Sequence, residues 1–307
     1  MVKVKSMSRL RSKKGLSEVV TSVILTGIML SIALIAMGFA NNMFSIQSEN
    51  TEFDQAKNIM ANLAEIIEHV STKQSSSGYV KFNSRTGGPS FIRDAYTFSV
   101  DVEAYSGTLP YDSIQLLTTQ CNLLKYRGGS LVTAAGKYVI RGTEVLILSN
   151  NNASMGCVYV EQSDGAWIVI DYARVNVLNL GTFNFSKGIS ATTRLPIFEL
   201  VNMIQISYIN MVPGTFSGSG SIYVVAKCRS IETSYYRISA PADAGPSNPT
   251  YTIRVVAQLD DPSSPTPRTV YHDVIVPSYY YNGTNYLPRE TIIMFVQSNV
   301  EISVLGG

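Results

Sequence analysis

One long apolar run near the start of the chain limits what the chain can fold into. From Leu16 to Ala40 every residue is apolar or small except Glu18, the only charged one. As an α-helix this run would measure roughly 37 Å, which exceeds the roughly 30 Å hydrocarbon core of a bilayer. A helix that is apolar on all sides must be buried in lipid or among other apolar helices.

The charge distribution around the apolar run predicts its orientation. Residues 1–15 contain six lysines and arginines and no acidic residue. Positive charge before a spanning helix keeps the N-terminus in the cytoplasm, so everything after Ala40 is predicted to be exported. Without the six, 18 basic and 22 acidic residues remain. Because no basic stripe is left after residue 15, nucleic acid is not predicted as a partner.

Three interpretations of the apolar run are open. A secretory signal has an apolar core of roughly 7–15 residues, and this run is longer, although "GFA" at Gly38–Ala40 is compatible with a cleavage site. The second interpretation is a single-pass membrane anchor, which requires only an apolar run of this length. The third interpretation depends on the residues at the entry to the run.

Those entry residues read "SKKGLSEVVTSVIL", in which Lys13, Lys14 and Gly15 precede Leu16. The segment resembles the start of archaeal type IV pilin-like proteins, which carry class III signal peptides. In that family a membrane-embedded prepilin-type peptidase cuts before the apolar helix. The resemblance covers about 30 residues and implies cleavage between Gly15 and Leu16. It also implies a membrane-inserted precursor that later joins copies of itself, or other pilins, in a cell-surface filament.

Glu18 is the residue that the resemblance explains best. After cleavage Leu16 would carry a free α-ammonium, and Glu18 would lie in the first helical turn, where the helix dipole favours a carboxylate. In an apolar interior the carboxylate also needs a cation. The family resemblance implies that the new N-terminus of the same or a neighbouring subunit supplies it during assembly. The alternative is that Glu18 only caps the helix at the level of the lipid headgroups.

The helix is predicted to continue past the apolar run, from Leu16 to about Gln74. Residues 41–78 are mostly polar, but apolar residues recur at steps of three and four, which indicates a helix with one buried face. We call this set the stripe: Phe53, Ala56, Met60, Leu63, Ile67 and Val70. No proline occurs before Pro89, and "SSSG" at residues 75–78 marks the predicted end.

The predicted fold class is α+β, a long N-terminal hydrophobic helix followed by an all-β, sandwich-like extracytoplasmic head. The four predicted parts are a cleaved basic leader (1–15), a transmembrane or filament-core helix (16–40), an amphipathic extension (41–78) and the head (79–307). The predicted strands are Ala95–Tyr105, Glu144–Ser149, Cys157–Gln162, Ala166–Leu180, Ser221–Cys228, Tyr251–Leu259, Thr269–Val276 and Asn299–Leu305. The head is either one large sandwich or two β-modules with a joint near residues 195–220.

Few residues of the head indicate a chemical site. Cys121, Cys157 and Cys228 are too few for a disulfide framework or a zinc site; one disulfide with a leftover thiol, or three free thiols, fits them. Candidate glycosylation sites stand in three sequons, at Asn152, Asn184 and Asn282. Tyrosines around the third suit adhesion or subunit contact, or else pack beneath the loop.

The sequence offers few residues suited to catalysis. His69 and His272 are its only histidines, and none of the common catalytic or phosphate-binding motifs is present. The sequence therefore predicts no enzyme, no cofactor and no metal. The leading expectation is a major or minor subunit of a pilus-like surface filament, whose head serves adhesion or surface contact. The alternative is a monomeric, membrane-anchored extracytoplasmic binding or stator-like protein.

Overall fold

The computed structural model describes residues 11–83, 85–189, 196–217, 222–262, 264–281 and 285–306. Side chains are described from Glu18 onward, apart from those of residues 186–189, 196–198 and 217. The chain divides into two compact units, Met1–Thr51 and Glu52–Gly307.

One helix, α1 (Arg11–Ser71), precedes all the strands, so the predicted long helix is confirmed. It ends three residues before the predicted Gln74 because local hydrogen bonds close its last turn. The Ser71 hydroxyl donates to the Glu68 carbonyl at 2.7 Å, and Thr72 N–H donates to the His69 carbonyl at 3.4 Å. Ser75 then adopts a left-handed conformation (φ 66°) and its N–H donates to the carbonyl of Cys228.

The rest of the described chain is β-structure in two large sheets and a small hairpin. The first sheet has the order β1 (Ser77–Phe82), β10 (Ile222–Ile238), β15 (Thr291–Gly306), β9 (Pro196–Ser217), β8 (Val175–Ile189), β5 (Ile147–Leu148). The second has the order β12 (Arg268–Pro277), β11 (Thr250–Asp260), β2 (Gly88–Ser106), β3 (Leu109–Arg127), β7 (Ala166–Asp171), β6 (Cys157–Gln162), β4 (Tyr138–Arg141). The hairpin pairs β13 (Tyr279–Tyr281) with β14 (Tyr286–Pro288). The α+β class with a β-rich head is confirmed.

Two predicted strands differ from the observed ones. The predicted strand Ala166–Leu180 is interrupted at residues 172–174, where the chain leaves β7 in the second sheet and enters β8 in the first. The Asp171 carboxylate accepts a hydrogen bond from Ala173 N–H at 2.8 Å and so supports the turn. Glu144–Ser149 contributes only the two residues of β5, which pair with β8 in parallel.

Most of the predicted joint between two modules lies inside a sheet. Pro196–Ser217 forms β9, which pairs with β8 on one side and with β15 on the other. Residues 195 and 218–220 of the predicted joint lie outside the described residues. Because β9 is central to the first sheet and residues 52–307 form one compact unit, a joint between modules is not found at residues 196–217.

The stripe of α1 lies in the first of two main hydrophobic cores. All six stripe residues are at most 5% exposed, as the periodicity predicted. They cluster with apolar side chains from both sheets, including Leu124 and Tyr126 of β3 and Val224 of β10. Burial of a large apolar side chain stabilises a fold by about 1.5–3 kcal/mol. The end of the helix is therefore part of the β-rich head, whose core begins near Phe53 instead of at residue 79.

Two glycines let the backbone approach this part of the helix closely. A Cβ on Gly78 would lie 2.6 Å from Cγ2 of Ile66, and a Cβ on Gly128 would lie 2.8 Å from the ring of Phe53. Either contact is shorter than side chains tolerate, so these positions favour glycine because the helix packs against them.

The second core joins the two sheets without the helix. Its members include Phe98 and Val100 of β2 and Ile204, Ile206 and Tyr208 of β9, all at most 2% exposed. On β9 the first core receives residues 209 and 211 instead. Since side chains alternate along a strand, the two cores contact opposite faces of β9.

Two carboxylates on α1 attach the helix to the loops of the head. Glu52 Oε1 accepts hydrogen bonds from the backbone N–H groups of residues 85–87 at 3.0–3.3 Å and from the hydroxyl of Tyr126 at 3.3 Å. Glu68 accepts from Ser154 Oγ and Gly156 N–H, both at 2.7 Å, and from Arg141 at 3.0 Å. The apolar stripe and these polar contacts together fix the position of residues 52–71 in the head.

Leu63→Ala tests whether this helical segment is part of the head core. In a soluble fragment of residues 52–307, the change should lower the free energy of unfolding by about 2–5 kcal/mol, because it leaves a cavity at a fully buried position. Urea denaturation measures this. Asn62→Ala, at the adjacent exposed position, should change stability by no more than about 0.5 kcal/mol. Equal unfolding of both variants would contradict the packing described.

Candidate membrane and assembly segment

The upstream part of α1 carries a long, uncovered apolar surface. Every large apolar side chain from Val19 to Phe44 is more than half exposed. These side chains point to all sides of the helix, since they include adjacent positions such as Val19 and Val20 or Ile24 and Leu25, which are all more than half exposed. An exposed apolar surface of this extent marks an interaction with membrane or protein.

By length and composition, one helix in the described part of the chain could cross a membrane: α1, within its segment Glu18–Ser71. Two of its hydroxyl residues satisfy their hydrogen bonds within the helix. The hydroxyl of Thr26 donates to the Ser22 carbonyl at 2.8 Å, and the hydroxyl of Ser31 donates to the Gly27 carbonyl at 2.9 Å. Such internal bonds allow hydroxyl groups in an apolar environment.

The predicted processing residues lie in the first turns of α1. Lys13, Lys14, Gly15 and Leu16 have helical backbone, and their side chains lie outside those described. Glu18 is exposed and seven residues beyond the start of the helix at Arg11. Cleavage before Leu16 would make it the third residue of the chain and place it in the first turn.

The three cysteines are free and buried, so the disulfide alternative is not what the fold contains. Cys121, Cys157 and Cys228 are at most 3% exposed. Burial raises the pKa of Cys121 to about 12, against a weaker opposite effect of its hydrogen bond with the Tyr208 hydroxyl. Burial also raises the pKa of Cys157, partly offset by Arg174, and that of Cys228.

The candidate glycosylation sites have different surroundings. Asn152 is exposed in the loop between β5 and β6, where the hydroxyl of Ser154 from the same sequon donates to Glu68. Asn184 is exposed on β8, opposite Leu200 of β9. Asn282 lies outside the described residues. Beside it, Tyr281 and Tyr286 of the β13–β14 hairpin are 59% and 55% exposed.

The head contains a cavity of about 200 Å³ that is lined by several charged residues, including two ion pairs. Arg174, only 1% exposed, bonds to Asp171 at 3.1 Å and to the Thr143 carbonyl. Lys137 pairs with Glu144 at 2.5 Å. Among the described residues, no three His, Cys, Asp or Glu side chains are grouped so as to hold a metal ion.

A larger cleft of about 460 Å³ lies at the end of α1. Its lining comes from the end of the helix, the 151–155 loop and strands β8, β9, β10 and β15. Asn176, Gln205 and Ser207 contribute amide and hydroxyl groups. Sequence reasoning missed both cavities, since their lining residues are far apart in the chain and share no motif.

Comparison with protein-family models, with curated proteins and with solved structures finds no match for this chain.

The buried thiols give a direct test of the head structure. At pH 8 the native protein should take up less than about one alkylating group per chain in an hour, because the raised pKa values keep the thiols protonated and burial keeps the reagent out. After denaturation without reductant it should take up three, one for each free thiol. Intact-mass spectrometry reads both numbers. A single label after denaturation would indicate a disulfide and contradict the observed arrangement.

Proposed function

We propose that the chain is a subunit of a type IV pilus-like surface filament, which assembles through the apolar part of α1 and displays the β-rich head outside the cell. The observation that carries the proposal is the division of one helix between two environments. Its apolar side chains from Val19 to Phe44 are exposed, while the stripe is buried in the core of the head. The exposed apolar part therefore needs a membrane or other apolar helices to cover it.

Glu18 has a specific role in this proposal. An ionised carboxylate within an apolar helix is costly unless a cation neutralises it. Removal of the leader creates such a cation, the α-ammonium of Leu16. Among packed subunits, Glu18 of one chain neutralises the N-terminus of a neighbour, which couples assembly to processing. The six basic residues of the leader keep the unprocessed N-terminus in the cytoplasm.

A second candidate is an anchored monomer with an extracytoplasmic binding or stator-like role. The length of the apolar run favours it equally, because 25 residues suffice for one bilayer span. The two candidates differ in what happens at the N-terminus. A filament subunit is cleaved before Leu16, whereas a plain anchor keeps residues 1–15.

Processing is tested by the mature N-terminus of protein purified from cells that contain a prepilin-type peptidase. The expected first residue is Leu16, and Gly15→Ile should accumulate as full-length precursor, because the peptidase no longer accepts the residue before the cut. Mass spectrometry of the N-terminal peptide makes the assignment. A first residue of Met1 would support the anchored monomer, and Asn41 would support conventional secretion.

Assembly is tested by Glu18→Gln, which keeps the shape of the side chain and removes its charge. The variant should be processed and exported normally but form few or no filaments, since an unpaired ammonium in an apolar core costs on the order of 3–5 kcal/mol per subunit. Electron microscopy of cells that make only this variant counts the filaments. Glu65→Gln removes a charge of the same helix outside the apolar run, where Glu65 forms only a largely exposed ion pair with Arg141 at 3.1 Å, and should leave filaments normal.

A helix cap alone predicts a different outcome for Glu18→Gln. Loss of a favourable interaction with the helix dipole is worth about 0.3–1 kcal/mol, which is too little to prevent assembly. Abundant filaments from this variant would therefore leave Glu18 as a cap and remove the ammonium pairing from the proposal.

A further inference from the structure

We propose that the free edge of β8 pairs with the same edge of a second copy of the chain, so that two heads share one continuous sheet. The proposal concerns the head alone and does not depend on processing or on filament assembly. β8 (Val175–Ile189) pairs with β9 along one side. Among the strands that the structure describes, only β5 pairs with its other side, and only at Val175 and Asn176. Beyond Asn176 the backbone N–H and C=O groups of this side are open to another strand.

The open edge is accessible and regular where pairing would occur. Residues 179–185 of β8 are all exposed. The pairing of β8 with β9 shifts at Asn179/Gly181 and again at Ser186/Gly188. Because such bulges disturb a strand only locally, residues 181–186 form a regular stretch between them. That stretch has the length of an ordinary strand in a sheet.

The open edge of β8 lacks the features that prevent strands from pairing with other chains. Charged side chains and proline at an edge are the common means of prevention, and residues 175–186 contain neither. Other edges of the two large sheets carry charges: Lys81 on β1, Arg229, Glu232 and Arg237 on the part of β10 beyond β1, Arg268 and Asp273 on β12, and Arg141 on β4.

Two phenylalanines make the edge of β8 complementary to itself. Phe183 and Phe185 lie on one face of the sheet, since side chains alternate along a strand, and they are 43% and 47% exposed. In an antiparallel pair with a two-fold axis at Asn184, Phe183 of each copy lies opposite Phe185 of the other. Both aromatic cross-strand pairs are favourable. No like charges meet, because residues 181–186 are uncharged. These two properties select a second copy as the partner.

Pairing at this edge excludes glycosylation at Asn184. Asn184 stands in a sequon and on the axis of the proposed pair, where the side chains of both copies meet. A glycan is bulky, so one attached to Asn184 would keep the two edges apart. The chain is therefore produced for the tests below in a host without N-glycosylation.

Thiol cross-linking locates the contact in the full chain, purified in detergent. The three native thiols are free and buried, so one added cysteine reports on one position. Directly opposite Cα atoms of an antiparallel pair lie about 4.5–5.5 Å apart, within the roughly 4.4–6.8 Å that a disulfide spans. Asn184→Cys should therefore give a disulfide-linked dimer under mild oxidation. Thr269→Cys, also exposed but on the charged edge of β12, is the matched control and should stay monomeric.

Charges at the axis test the two-fold register. Asn184→Lys and Asn184→Glu each place two like charges opposite one another. Each variant alone should weaken dimerisation about fivefold in Kd, which corresponds to about 1 kcal/mol. An equal mixture of the two places a lysine opposite a glutamate and should restore the dimer. Sedimentation velocity measures the mean mass of the full chain, and circular dichroism verifies that each variant is folded.

The proposal is overturned if Asn184→Cys gives no disulfide-linked dimer, or if Thr269→Cys gives as much. It is also overturned if the mixture of charge variants is no more dimeric than either variant alone, because residue 184 would then not face residue 184 of a second copy. Association that is the same in the parent and in every Asn184 variant would belong to the apolar helix and would equally contradict pairing at β8.

Discussion

The packing of the stripe of α1 against both sheets is the interaction on which the rest of the structure depends. The first core includes residues of β1, β3, β6, β7, β9, β10 and β15, and the helix contributes seven buried side chains to it. Without the helix, apolar side chains from two sheets would lose their cover at once. Sheets need a covered apolar face to be stable, so the helical segment is as much a part of the head as any strand.

Because the stripe packs against both sheets, the two faces of β9 have different partners. The second core holds the two sheets together directly, which leaves one face of β9 for the helix and the other for the second sheet. Glu52 and Glu68 then bind loops at 85–87 and 154–156 through backbone N–H groups. The contacts of Glu68 lie at a wall of the cleft. Its shape thus follows from the position at which the helix ends.

Some of this arrangement was predictable from sequence because it is recorded in local periodicity. The stripe repeats with helical spacing, and all six of its residues are buried. Cys157–Gln162, predicted as a strand, forms β6 with those bounds. The long strand β9 was not predicted because it contains Pro213 and Gly214, which interrupt the pattern. The cleft was not predictable, since Asn176, Gln205 and Ser207 become neighbours only through the pairing of β8 with β9. Pairing between strands that are distant in the chain cannot be read from a local sequence pattern.

The carboxylates of α1 have different surroundings along the helix. Glu52 and Glu68 are neutralised or solvated by their own head, through an arginine, hydroxyls and backbone N–H groups. Glu18 has no such bond to any side chain that the structure describes, and it stands among apolar residues that are themselves exposed. As long as the run stays in water, this carboxylate is hydrated and costs nothing. Once the run is buried, a cation from the lipid interface, from its own N-terminus or from another chain is needed to offset the loss of hydration. The free energy of burial therefore depends on Glu18, whichever partner covers the helix.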